Sequence, residues 1–191
     1  MISSLVDEKK RKKKSLLMAA ALELFLSKGS ESTSIDDIVR KAGVAKGTFY
    51  LYFHDRNEIL REIIADRSKA LVVAAALSAN LRQPASESEG LLFVVEELID
   101  EFTRQPGLLG LIYRNMTWGM LDREARMENP AASALQLLGK ASPTSPESAR
   151  MAYVVMELVT SISYSSIILG EPAGIDVMKP FLLSSIRRLL A

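Results

Sequence analysis

Apolar residues recur along this chain at three- and four-residue spacing, and no stretch shows the strict alternation of a half-buried strand. Over 7–28, Leu17, Ala21, Leu24 and Phe25 form one stripe of a helix that Gly29 stops. Thr33 or Ser34 can cap a second helix. Asp36 and Asp37 lie in its first turn, where the helix dipole favours carboxylates, and Ile35, Ile38 and Val39 supply its buried side. Ala42-Gly43 closes it, because glycine accepts the left-handed backbone of a sharp turn, and Val44 leads into a third helix over 45–52.

Asp55 followed by Glu58 resembles a capping box and starts a fourth helix, whose apolar face (Ile59, Leu60, Ile63, Ile64, Leu71, Val72) persists to about residue 81. A loop over 83–89 precedes a fifth helix with Leu91, Val95, Leu98 and Phe102 on one side, broken by Pro106-Gly107. A sixth is expected over 108–121 and a seventh around 131–138, separated by Asn129-Pro130. After a second loop at 141–147, the helix over 146–169 is apolar nearly all round and needs cover on more than one face. Asp176 can cap a last helix, with Pro180 near its first turn. That helix presents Phe181, Leu182, Ile186, Leu189 and Leu190. The last two helices therefore read as half of an intersubunit four-helix bundle, against the alternative of a hairpin packed within its own subunit. The fold class is all-α.

Composition narrows the chemistry. In 191 residues, 48% hydrophobic and 25% charged, a globular core is affordable. Without cysteine there are no disulfides, thiolate nucleophiles or thiolate metal sites, which suits a reducing cytoplasm. The most apolar segment, 151–169, is interrupted by Glu157 and many hydroxyls, so no membrane span is expected. At the amino end the order of charge and apolar segment is wrong for a signal peptide. The lone histidine, His54, has no catalytic or metal-binding constellation around it, so the chain is read as a non-enzyme with no metal and no cofactor.

Charge is unevenly placed. Residues 1–60 carry 11 Lys/Arg and 8 Asp/Glu, net +3, and the remainder nets −2 from 13 and 15. The run from Lys9 to Lys14 is a frayed first turn or an arm. It is either a solvated tail or a contact to phosphate or the minor groove.

Two helices joined by a glycine turn and backed by a first helix satisfy the helix-turn-helix pattern, whose second helix lies in the major groove. Within 45–52, Phe49 must point inward, as does Phe53 just beyond. Lys46, Gly47, Thr48, Tyr50 and Tyr52 then remain for a partner, double-stranded DNA. Lys46 suits a phosphate or a guanine edge, Thr48 a base or a thymine methyl, and the tyrosines phosphates. Gly47 sacrifices about 1 kcal/mol of helix propensity relative to alanine, which points to close approach of something to the backbone. Ser34 and Arg56 stand at helix starts, where anions bind readily.

The chain resembles the TetR family of transcriptional repressors. The resemblance runs through Leu17, Ala20-Ala21, Leu24-Phe25, Gly29, Thr33-Ser34-Ile35, Asp37-Ile38, and Ala42-Gly43-Val44-Ala45-Lys46-Gly47-Thr48-Phe49-Tyr50 with Tyr52-Phe53, covering about 11–65. It implies a helix-turn-helix domain at 1–54 (core 11–54), joined through the long fourth helix to a helical ligand-binding and dimerisation domain at 55–191. It also implies a cytoplasmic homodimer that binds a near-palindromic operator and releases it when a small effector binds. Ser34, Lys46, Gly47, Thr48, Tyr50, Tyr52 and Arg56 match DNA-contacting places. Ala45, Tyr52 and Arg56 depart from the residues frequent there, which are serine, histidine and lysine; arginine keeps the charge but changes phosphate geometry.

On the effector side, Phe102, Tyr113, Met116, Trp118, Met120, Tyr153, Met156 and Tyr164 are candidates to line a pocket, with Glu157 or Arg114 orienting a charged ligand. Ordinary core packing is the other reading for each. A helical dimer that binds only protein is the competing class, and it leaves the surface from Lys46 to Tyr52 without purpose.

Overall fold

The computed structural model describes residues 2–115 and 145–190. Among these are eight α-helices and no strand: α1 Ile2–Lys28, α2 Ile35–Ala42, α3 Lys46–Phe49, α4 Arg56–Leu81, α5 Glu87–Arg104, α6 Pro106–Asn115, α7 Pro146–Tyr164 and α8 Ile175–Leu189. The chain divides into two compact units, 1–64 and 65–191, with the division inside α4.

In the first unit the apolar stripe of α1 is buried as its spacing requires: Leu17 and Ala21 are fully covered, and Phe25 nearly so. Gly29 ends α1 at φ 87°, and the buried Thr33 hydroxyl donates to its carbonyl at 2.8 Å, tying the loop down. Ile38, Phe49, Phe53 and Ile59 complete the core. The basic run is helical rather than frayed, because lysine and arginine are good helix formers and Lys14 is anchored by the Glu62 carboxylate and the Phe53 ring.

In the second unit α5 packs on α6, α7 and α8. Its buried side, Val94, Val95, Leu98 and Ile99, meets the covered faces of α7 (Ala152, Val155, Val159) and α8 (Leu182, Ile186). An ion pair between Lys179 and Asp100 ties α8 to α5. The chain breaks as expected between Arg104, the end of α5, and Pro106; α6 starts at Pro106 rather than at 108, because the first helical position is one where proline's missing N–H costs nothing. α7 ends in a π-helical turn, Ser165–Leu169, closed by Gly170 at φ 71°. Pro180 lies inside α8, and Gly174, rather than Asp176, is the N-cap. The segment 150–169 is long and apolar enough by composition to cross a membrane, at mean hydropathy 1.5. Here its buried residues are part of the packed helical unit.

Candidate nucleic-acid interface

α2 is held at both ends. Ser34 is extended at φ −92° and ψ 160°, and its hydroxyl accepts the Asp37 N–H at 3.1 Å. The Asp37 carboxylate in return accepts the Ser34 N–H at 3.0 Å and its O–H at 2.7 Å. Lys28 donates to the same carboxylate at 2.7 Å. The Lys28 ammonium, with the Ser34 hydroxyl and N–H, holds the Asp37 carboxyl well below its ordinary range. Ser34 remains exposed, but its hydroxyl is committed to the cap, so any phosphate contact has to be shared with it. At the other end Gly43 adopts φ 67° and ψ 34°, and the Val44 N–H reaches back to the Val39 carbonyl at 3.1 Å.

α3 is shorter than its sequence pattern predicts. Helical geometry covers Lys46–Phe49, and tighter turns carry the chain onward, with Leu51 N–H to Thr48 at 3.3 Å and Tyr52 N–H to Phe49 at 2.9 Å. So short a helix has no stability of its own. Two rings hold it: Phe49 and Phe53 are both buried with centroids 5.5 Å apart, and Tyr50 meets Phe49 edge-on. With those rings inward, Lys46, Gly47 and Tyr50 are exposed, and Thr48 and Tyr52 are half-buried. Nothing lies within 4 Å of where a Gly47 side chain would begin.

The site also contains residues that sequence patterns did not single out. Leu51 is 78% exposed, an apolar side chain beside Tyr50 on the outward surface. Its signal was available, since it lies three and four residues from Thr48 and Gly47. Asp36 pairs with Lys46 at 2.9 Å and raises the pKa of its ammonium. Arg56 donates to the Glu31 carbonyl at 2.8 Å and to its carboxylate at 3.1 Å. Both cations assigned to DNA are thus occupied by acids of the same unit. No local spacing announces such pairs. α4 begins at Arg56 with the Asp55 carboxylate accepting the Glu58 N–H at 2.8 Å, while Glu58 turns back to the His54 N–H.

In the second unit, Tyr113 and Tyr164 stack with centroids 3.9 Å apart, Phe102 is buried, Met156 and Glu157 are half-buried, and Tyr153 is exposed. Met116, Trp118 and Met120 lie outside the described residues. Near Tyr164 in the chain, Ser163 and Ser166 are buried with hydroxyls that have no hydrogen-bond partner among the described residues, a signal absent from the apolar pattern. A separate open groove of about 580 Å³ is lined by Arg82, Phe93 and Glu96 with Leu183 and Arg187; Arg82 lies 3.7 Å from the centre of the Phe93 ring.

A capped helix, a left-handed glycine turn and a short helix with aromatic residues inward and polar residues outward make residues 1–64 a helix-turn-helix unit. Residues 17–63, about a quarter of the chain, match the bacterial regulatory proteins of the tetR family, so the amino-terminal unit carries that family's domain. It is 49% identical over 47 residues to the HTH-type transcriptional regulator YvdT of Bacillus subtilis, 25% of this chain and 24% of that protein. It is 38% identical over 55 residues to the regulator SrpR of Pseudomonas putida, 29% of this chain and 26% of that one. Each match thus spans about a quarter of the relative. Solved structures extend the likeness in fold alone. A TetR transcriptional regulator from Rhodococcus sp. RHA1 superposes at TM-score 0.70 and 19% identity, covering 95% of both chains. FadR of Bacillus subtilis, solved in complex with stearoyl-CoA, gives 0.63 at 15% identity, covering 90% of this chain and 96% of FadR.

Proposed function

We propose that the chain is a cytoplasmic transcriptional repressor that binds a near-palindromic operator as a homodimer and is released by a small molecule. The observation that carries this reading is α3: Phe49 and Phe53 are buried, while Lys46, Gly47, Thr48, Tyr50 and Tyr52 form the outward surface, with Ser34 and Arg56 at its flanks. DNA binding is assigned to 1–54, and effector binding and dimerisation to 55–191. Dimerisation through α7 and α8 is supported by uncovered apolar side chains: on α7 Val154 is 46% exposed, and on α8 Val177, Phe181 and Leu189 are 64%, 66% and 48% exposed.

The effector is assigned to the region of the Tyr113–Tyr164 stack, with Phe102, Tyr153, Met156 and Glu157 and, outside the described residues, Met116, Trp118 and Met120. FadR was solved with an acyl thioester, which makes that class the first to screen.

Selection of duplexes from a random pool, followed by titration of the selected duplex, tests the reading. Lys46→Ala and Tyr50→Ala should each lose specific binding. Selected binding unchanged in both would overturn the assignment of α3, and a monomeric mass with intact affinity would overturn the dimer.

A further inference from the structure

The cations of the helix-turn-helix surface are largely neutralised from within. Lys46 is held by Asp36, Arg56 by Glu31, Lys28 by Asp37 and Lys41 by Glu23 at 2.6 Å. The first turns of α1 are the opposite case. Lys9, Lys10, Arg11, Lys12 and Lys13 are all exposed and have no ion-pair partner among the described residues. These cations stand on regular helix, so their directions are set. Lys14 fixes the phase: its ammonium meets Glu62 and lies 5.6 Å from the centre of the Phe53 ring, immediately after Tyr52.

At about 100° per residue, Lys10 and Arg11 lie within about 60° of the Lys14 direction, about one turn earlier and roughly 4.5–6 Å further along the axis. Lys13 stands about 100° away, whereas Lys9 and Lys12 point to the far side. Three unpaired cations therefore lie on the turns of α1 just before Lys14, whose ammonium adjoins the end of the segment that carries Tyr52.

We propose that Lys10, Arg11 and Lys13 grip the phosphate backbone of duplex DNA flanking the sequence read by α3, and supply most of the salt-dependent, sequence-independent affinity. The inference rests on the DNA-binding reading above. α3 carries the discrimination between sequences, and the amino-terminal turns of α1 carry the hold. Free cations release condensed counterions on binding at no internal cost, whereas Lys46 and Arg56 must first exchange a carboxylate for a phosphate.

The test uses the full chain, its selected duplex and a scrambled duplex of equal length, with affinity measured against salt. In Lys10→Gln/Arg11→Gln/Lys13→Gln the slope of log affinity against log salt should become shallower by about 2–3, since each phosphate contact contributes about 0.9. Affinity for both duplexes should fall several hundredfold near 0.1 M salt, with the preference for the selected duplex kept within about threefold. Lys9→Gln/Lys12→Gln should change the slope by less than about 0.5. An unchanged slope in the triple variant overturns the proposal, as does an equal loss per charge in the two variants. So does tighter association of the wild type with anionic vesicles than with the scrambled duplex. Failure of the wild-type chain to select any sequence would overturn the DNA-binding reading itself.

Discussion

Replacing Asp36 by asparagine should strengthen the hold on DNA. In the free chain its carboxylate sits 2.9 Å from the Lys46 ammonium. Both side chains are more than half exposed, at 58% and 53%, so the pair is screened and its loss should leave the melting temperature nearly unchanged. The effect appears on binding. A phosphate that takes Lys46 leaves Asp36 unpaired beside a polyanion, and asparagine removes that penalty. One unit of charge at the interface changes the salt slope by about 0.9, which amounts to about eightfold in affinity at 0.1 M relative to 1 M. Fluorescence anisotropy on the selected duplex across a salt series reads this directly. The decisive comparison is the same substitution in a Lys46→Ala background, where only the direct repulsion of Asp36 from DNA remains and the gain should shrink to about twofold. An equal gain in both backgrounds, or a loss of affinity in the first, would refute the exchange of carboxylate for phosphate at Lys46.

Three further outcomes are expected. Phe49→Ala should destabilise the amino-terminal unit by about 3–5 kcal/mol, seen as a lower denaturant midpoint, because it empties a fully buried ring position. Gly47→Ala should stabilise the unit by about 0.5–1 kcal/mol, since the site has open space and ordinary backbone, while weakening DNA binding in the same preparation. The Asp37 carboxyl has a folded-state pKa depressed below its ordinary 3.8, so its contribution is fully present above that pH and is lost as pH falls towards the folded value. Denaturant midpoints of the wild type and Asp37→Asn should therefore differ at neutral pH and converge progressively below about pH 3.8.

Features that depend on a few neighbouring residues were legible in the chain. A cap at Thr33 or Ser34, the left-handed Gly43 and the inward Phe49 and Phe53 each follow from local spacing, and the structure has the last three and settles the cap on Ser34. Element ends were less legible. Pro106 does mark a break, but that it starts the next helix itself depends on a first turn that needs no N–H from it, and the lysine run reads as a frayed turn or an arm until Lys14 is seen anchored on Glu62. Least legible were the partners of the cations. Asp36 reaches Lys46 and Glu31 reaches Arg56 across ten and twenty-five residues, distances over which charge order carries no information until the helices are packed.

The brevity of α3 bears on how such a surface can change over generations. Four residues of helix are fixed in place by two buried rings and a few backbone bonds, none of which uses the side chains of Lys46, Gly47 or Leu51. Those outward positions are therefore nearly free of duties in folding. A duplicate of this chain could exchange them one at a time, acquiring a new DNA sequence to read while every intermediate remained folded.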